Sequence, residues 1–149
     1  MELSSTSGVR LFTTAEANDI VPALQLSFAA IATIRNELET LLGSLAEGDP
    51  SRVVGILRGE IAPEPEQEEA VLRLQVLVLE LGQAVEGVAA MGVIVKDLDP
   101  GLVDIPSELD GRVVLLCWQF GESAVQWFHE TEEDFEERTP LPDAAPLLH

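Results

Sequence analysis

The sequence predicts an α+β fold: a long antiparallel helical hairpin with a short intervening helix, followed by a small antiparallel β-meander. Three observations carry that prediction. Two long stretches, 23–47 and 65–91, place apolar residues at alternating steps of four and three, the period of a helix seam. After Gly92 the period drops to two, and Gly, Pro and Asp recur at the spacing of tight turns. No internal repeat or separate linker interrupts the pattern, so one domain is expected over 1–149. Its parts are a hairpin at 13–91, a meander at 92–130 and an acidic, Pro-rich tail at 131–149.

The elements follow in order. Thr13-Thr14-Ala15-Glu16 has the form of a capping box, in which the Thr13 hydroxyl accepts from the Glu16 amide and Glu16 reaches back to the Thr13 amide. Pro22 removes one backbone donor and crowds the carbonyl of Asn18, which predicts a kink or break before the main helix. From there Leu24, Phe28, Ile31, Leu38, Leu42 and Leu45 form a seam, with Arg35 in the one charged slot. A helix over 23–47 runs to roughly 37 Å at 1.5 Å per residue. Gly48-Asp49-Pro50 ends it and supplies an N-cap and first turn for a short helix carrying Val53, Val54, Ile56 and Leu57. Gly59 and Pro63-Glu64-Pro65 close that one.

The second long helix starts near Pro65 with Glu66, Glu68 and Glu69 in its first turn, where the helix dipole favours negative charge. Its seam is Val71, Leu74, Val78, Leu81, Val85 and Val88, flanked by Leu72, Val76 and Leu79. A stripe this wide covers more than one neighbour. The meander then begins: Val93–Val95 and Leu102–Ile105 joined by Asp97-Leu98-Asp99-Pro100-Gly101, a central strand over Arg112–Phe120, and a return over Ala124–His129. The tail opens with six acids in eight residues, Glu130–Glu137, and continues Pro-rich and extended to His149.

Composition narrows the function classes. The 27 acids against 8 bases give a formal net charge of -19, a field that repels phosphate backbones and excludes nucleic acid as a partner. A basic protein partner is compatible with it. One Cys rules out an internal disulfide and suits a reducing compartment. The start of the chain lacks the basic and apolar segments of a signal peptide, and the longest apolar run, Ile20–Ile34, is broken by Pro22, Gln25 and Ser27. The expectation is a soluble cytoplasmic protein with no membrane contact.

The chemistry-bearing residues gather in the meander. Asp97, Asp99 and Asp104 on one hairpin, with His129 and Glu130 at the end of the return strand, are the candidate metal set. Carboxylates suit Mg or Mn, and imidazole adds affinity for Zn or Fe. The competing reading makes Asp97 and Asp99 turn formers and pairs Asp104 with Lys96 or Arg112. Lys96 and Arg112, the two bases of the sheet segment, are the candidate residues for an anionic ligand. Asp97, Asp99 and Glu108 stand at three calcium-loop positions, but Leu102 replaces the required Gly and Pro100 intrudes, so this is no EF-hand. Cys117, within an apolar run, is expected to be buried packing rather than a nucleophile.

Phe12-Thr13-Thr14-Ala15-Glu16-Ala17-Asn18 with Pro22, then Val95-Lys96-Asp97-Leu98-Asp99 with Gly101-Leu102-Val103-Asp104, Leu116-Cys117-Trp118 with Gly121-Glu122, and His129-Glu130 with Arg138-Thr139-Pro140-Leu141 together resemble a bacterial family of unknown function, numbered twenty-two oh three. The resemblance spans Leu11 to Leu141. Phe128 stands where the family pattern has a Trp before His-Glu, Leu115 takes a Tyr-like position, and Asp134 replaces a Gly. The resemblance implies no activity. The leading functional expectation is a non-catalytic interaction or scaffold protein that forms a homodimer through its coiled-coil-like seams or its sheet, with no cofactor assigned. The alternative is a metal-dependent enzyme or binder of small anions that uses the acidic and histidine cluster.

Overall fold

A computed structural model describes residues 10–142; the first residues of the leader, the end of the Pro-rich tail and His149 lie outside the described residues. The architecture is α+β, helices first and a five-stranded antiparallel sheet after them. The helices are α1 (Thr14–Asp19), α2 (Val21–Ala46), α3 (Pro50–Leu57) and α4 (Glu68–Ala89), with a 3-10 turn at Pro65–Gln67. The strands are β1 (Ile94–Leu98), β2 (Gly101–Leu109), β3 (Arg112–Gln119), β4 (Trp127–Glu130) and β5 (Thr139–Pro140), in that order across the sheet. No described helix is long and apolar enough to cross a membrane.

Local chemistry sets the helix boundaries. Thr13 caps α1 with the reciprocal Thr13–Glu16 bonds of a capping box, at 3.0 and 2.9 Å. The helical path breaks at Ile20, just before Pro22. Asp49 caps α3 by accepting from the Ser51 amide, with Pro50 in the first turn. Gln67, between Glu66 and Glu68, is buried. Its amide donates to Glu47 at 2.7 Å, and its carbonyl accepts from Arg52 at 2.8 Å. Those two bonds explain how a polar side chain is accommodated inside.

The chain divides into two compact units. One, Ala29–Val85, is built on Leu38, Leu45, Val53, Leu74 and Leu77. Arg73 holds Glu37 in a two-bond fork at 2.7 and 3.0 Å between the two long helices. The predicted seam needs one correction. Val78 is 54 % exposed and Leu77 is 1 % exposed, so Leu77 takes the inward slot. At 100° per residue Leu77 lies nearer the direction of Leu74, Leu81 and Val88 than Val78 does. Leu42 is 38 % exposed, and Arg35 sits beside Glu39 of its own helix at 4.0 Å.

The other unit comprises the segments on either side and holds the sheet. Val103, Ile105, Leu116, Trp118 and Phe128 are buried, and the register pairs Val103 with Trp118, and Leu116 with both Ile105 and Phe128. Phe28 packs 5.9 Å from Trp118 and 6.2 Å from Phe120, measured between ring centroids. Burial of each such side chain is worth roughly 1.5–3 kcal/mol. Gly101 is fitted to this cluster, since a Cβ there would stand 2.5 Å from Phe28 Cδ1.

The sheet extends beyond the predicted strands. β1 continues through Leu98 with a bulge between Val95 and Asp97, and β2 reaches Leu109. The return strand starts only at Trp127, because the segment before it is tied elsewhere: the Val125 amide donates to Asn18 at 2.7 Å. The tail, expected to be extended, contains a 3-10 turn at Phe135–Glu137 and then pairs with β4 as β5. Arg138 anchors it by stacking its guanidinium over Phe135 at 4.3 Å and Trp127 at 4.7 Å.

Candidate functional site

Period-two alternation and antiparallel register decide which side chains meet on the sheet. Asp104 on β2 stands opposite Cys117 on β3, and His129 on β4 stands opposite Leu115, two residues from Cys117 on the same face. The small Cys117 side chain lies between the other two. His129 reaches across it, placing Nε2 3.1 Å from Asp104 Oδ1. Both side chains are almost fully enclosed, at 4 % and 2 % exposure.

A hydrogen bond settles one ring nitrogen of this pair. His129 Nδ1 lies 2.7 Å from the Glu130 backbone carbonyl, which can only accept, so Nδ1 carries a proton. Nε2 then faces a carboxylate oxygen. That arrangement is attractive only with a cation, a proton or a metal, shared between them. Asp104 Oδ2 has no hydrogen-bond partner among the described residues, and the Lys96 ammonium is 4.0 Å away on a side chain 55 % exposed. Cys117 is wholly buried; burial, with the nearby Asp104 charge adding to it, pushes its thiol up to about 12. That setting is the inert one expected from sequence.

The remaining candidates go elsewhere. Asp97 accepts from the Asp99 amide at 3.2 Å, a turn-forming bond, and both residues are exposed. The Glu130 carboxylate turns away from His129 and grips Arg112, with contacts of 2.6, 3.0 and 3.2 Å. The Arg112 hydrogen bonds hold Glu130 below the usual carboxylate range, and Glu130 raises Arg112 in turn. Lys96 and Arg112 therefore face different acids. A cleft of about 510 Å3 lies along Thr13, Ser107, Glu108, Asp110 and Leu141, and none of the candidate residues lines it.

Sequence reasoning left Cys117 out of the metal set, although its sulfur, an Asp104 oxygen and a His129 nitrogen lie within 4.8 Å of one another. The available signal was register. Aligning the meander through its turns pairs position 104 with 117 and sets 129 two residues away. Gly121-Glu122 also proves structural. The Glu122 carbonyl accepts from the Trp118 indole and the Gln25 amide, both at 2.9 Å, and its carboxylate takes the Gln119 amide and Arg138.

A family model described as an uncharacterized conserved protein (DUF2203) matches residues 10–141. No curated protein and no solved structure matches the chain.

Proposed function

We propose that this chain, which belongs to the DUF2203 family over residues 10–141, is a non-catalytic cytoplasmic interaction protein that acts as a homodimer. One observation carries the reading. On α4, Leu72, Val76 and Leu79 are 63 %, 44 % and 67 % exposed, and they follow one another at steps of four and three on the face opposite Leu74, Leu77 and Leu81. Gln75 and Gln83 lie along this face, and the opposite charges of Arg73 and Glu80 stand at one margin of it.

Charge selects the occupant. On a chain of net charge -19, two copies repel across nearly every surface, and a neutral apolar stripe is where they approach at least electrostatic cost. The three aliphatic side chains themselves offer a basic partner no carboxylate. Two α4 helices crossing about a two-fold axis bury the three aliphatic side chains against their own equivalents, the self-complementary geometry of a symmetric dimer. The Gln side chains lie beside the apolar row and can exchange hydrogen bonds at its rim.

Light scattering on the intact protein tests this. A dimer at micromolar concentration is expected, with Leu72→Glu/Leu79→Glu giving a folded monomer. A monomeric wild type defeats the reading, as does association that disappears in high salt, which would instead mark a charged partner surface.

A further inference from the structure

We propose that Asp104, Cys117 and His129 form a binding site for one divalent transition-metal ion of the zinc or ferrous class. The three residues come from successive strands β2, β3 and β4, all are buried, and one donor atom of each lies within 4.8 Å of the other two. The inference is independent of dimerisation.

Three further observations point to a cation. Asp104 Oδ2 is the buried side-chain atom that lacks any hydrogen-bond partner among the described residues, and leaving a carboxylate oxygen so placed is costly unless a cation meets it. His129 is oriented as a metal-binding imidazole is: its Nδ1–H is committed to a backbone carbonyl, and its Nε2 is aimed at the same carboxylate group. The Nε2–Oδ1 separation of 3.1 Å is close to the roughly 3.3 Å edge between nitrogen and oxygen ligands, each about 2.0 Å from a tetrahedral zinc.

The thiol decides the class of metal. Sulfur with imidazole and one carboxylate favours zinc or ferrous iron over magnesium, calcium or manganese, which prefer all-oxygen sites. On binding, the Cys117 S–H bond breaks with its electron pair left on sulfur, a sulfur–metal bond forms, and the proton leaves to solvent; no electron is transferred to or from the metal. Lys96, half exposed and 4.0 Å from Oδ2, marks the side from which solvent and ion approach. A water on that side completes four-fold coordination, and the ammonium supplies positive charge to Asp104 when metal is absent.

Cobalt provides a decisive readout, because the chain contains a single Cys and any thiolate-to-cobalt charge-transfer absorption must arise from Cys117. Full-length protein free of a polyhistidine tag, stripped with EDTA, is titrated with Co2+, Zn2+ and Mg2+. The expected result is one Co2+ per chain with that absorption band, displacement by Zn2+, a higher Tm with Zn2+, and no response to Mg2+. Cys117→Ala, its fold checked by circular dichroism, should lose the band, whereas Lys96→Met should keep it. A wild-type protein with no thiolate band and no thermal shift overturns the site, and so does a metal-induced band that survives in Cys117→Ala.

Discussion

Removing the His129 ring from beside Asp104 should be the most damaging single polar change in the sheet. In His129→Leu, Oδ1 loses the partner it has at 3.1 Å, and Oδ2 has none among the described residues, so the carboxylate stays enclosed at 2 % exposure with Lys96 as its neighbouring cation. At 4.0 Å and an effective dielectric near 20, Coulomb's law gives about 4 kcal/mol for the Lys96 contact. Lys96 is 55 % exposed, however, and solvent screening leaves about 0–1 kcal/mol of that. The single variant should therefore lose about 3–5 kcal/mol, the usual cost of stripping one partner from a buried pair. Asp104→Leu/His129→Leu removes both polar groups and should lie within about 1 kcal/mol of wild type. Urea unfolding with EDTA present, followed by Trp fluorescence, reads this as a midpoint shift of about 2 M for the single variant. A single variant costing under about 1 kcal/mol, or a double variant costing the sum of the singles, refutes the assignment of His129 as the group that holds Asp104.

Gly101→Ala should destabilise by about 1–2 kcal/mol. Its Cβ would meet Phe28 Cδ1 at 2.5 Å and Phe120 Cβ at 3.1 Å, an overpacking cost that outweighs the roughly 0.4–1 kcal/mol gained by restricting the unfolded chain. Adding Phe28→Leu should recover part of the loss, and a stability at or above wild type for Gly101→Ala alone would show that the ring yields freely. Cys117 should place an alkaline limit on metal-free protein. Its thiol titrates near 9.0 in the unfolded chain and at about 12 in the folded one, so above pH 9 the unfolded state binds fewer protons and stability falls as pH rises, by up to about 1.4 kcal/mol per unit. At pH 8 the native thiolate fraction is lower by about a factor of a thousand, so iodoacetamide should label Cys117 rapidly only in urea. Equal labelling rates with and without urea would contradict that burial.

The helices were legible because their signals are local. The Thr13–Glu16 box, the Asp49-Pro50 start and the apolar period require no knowledge of distant residues. The exchange of Val78 for Leu77 marks the limit, since a period of 3.5 and one of 3.6 drift apart along a helix and only packing decides which neighbour turns inward. The sheet's order followed from its turns, but β5 did not, because Thr139-Pro140 has no strand signature and is held by Arg138 stacking on Trp127 and Phe135. Among the candidate residues, Asp104 and His129 are brought together, whereas Asp97 and Asp99 serve a turn and Glu130 serves Arg112. Residue type alone cannot separate these acids. Strand register can, and Cys117 became visible only through it.

The two borders of the sheet carry a consequence for the protein in a crowded cell. β1 is interrupted by the bulge that contains Lys96, and β5 is two residues long and ends in Pro140, which has no amide proton to offer. A charged bulge on one border and a proline on the other are the devices that stop a sheet from templating further strands. Stacking of chains through their backbones, the route to amyloid-like growth, is thereby discouraged at both borders. The acidic chain can accumulate without its strands recruiting one another.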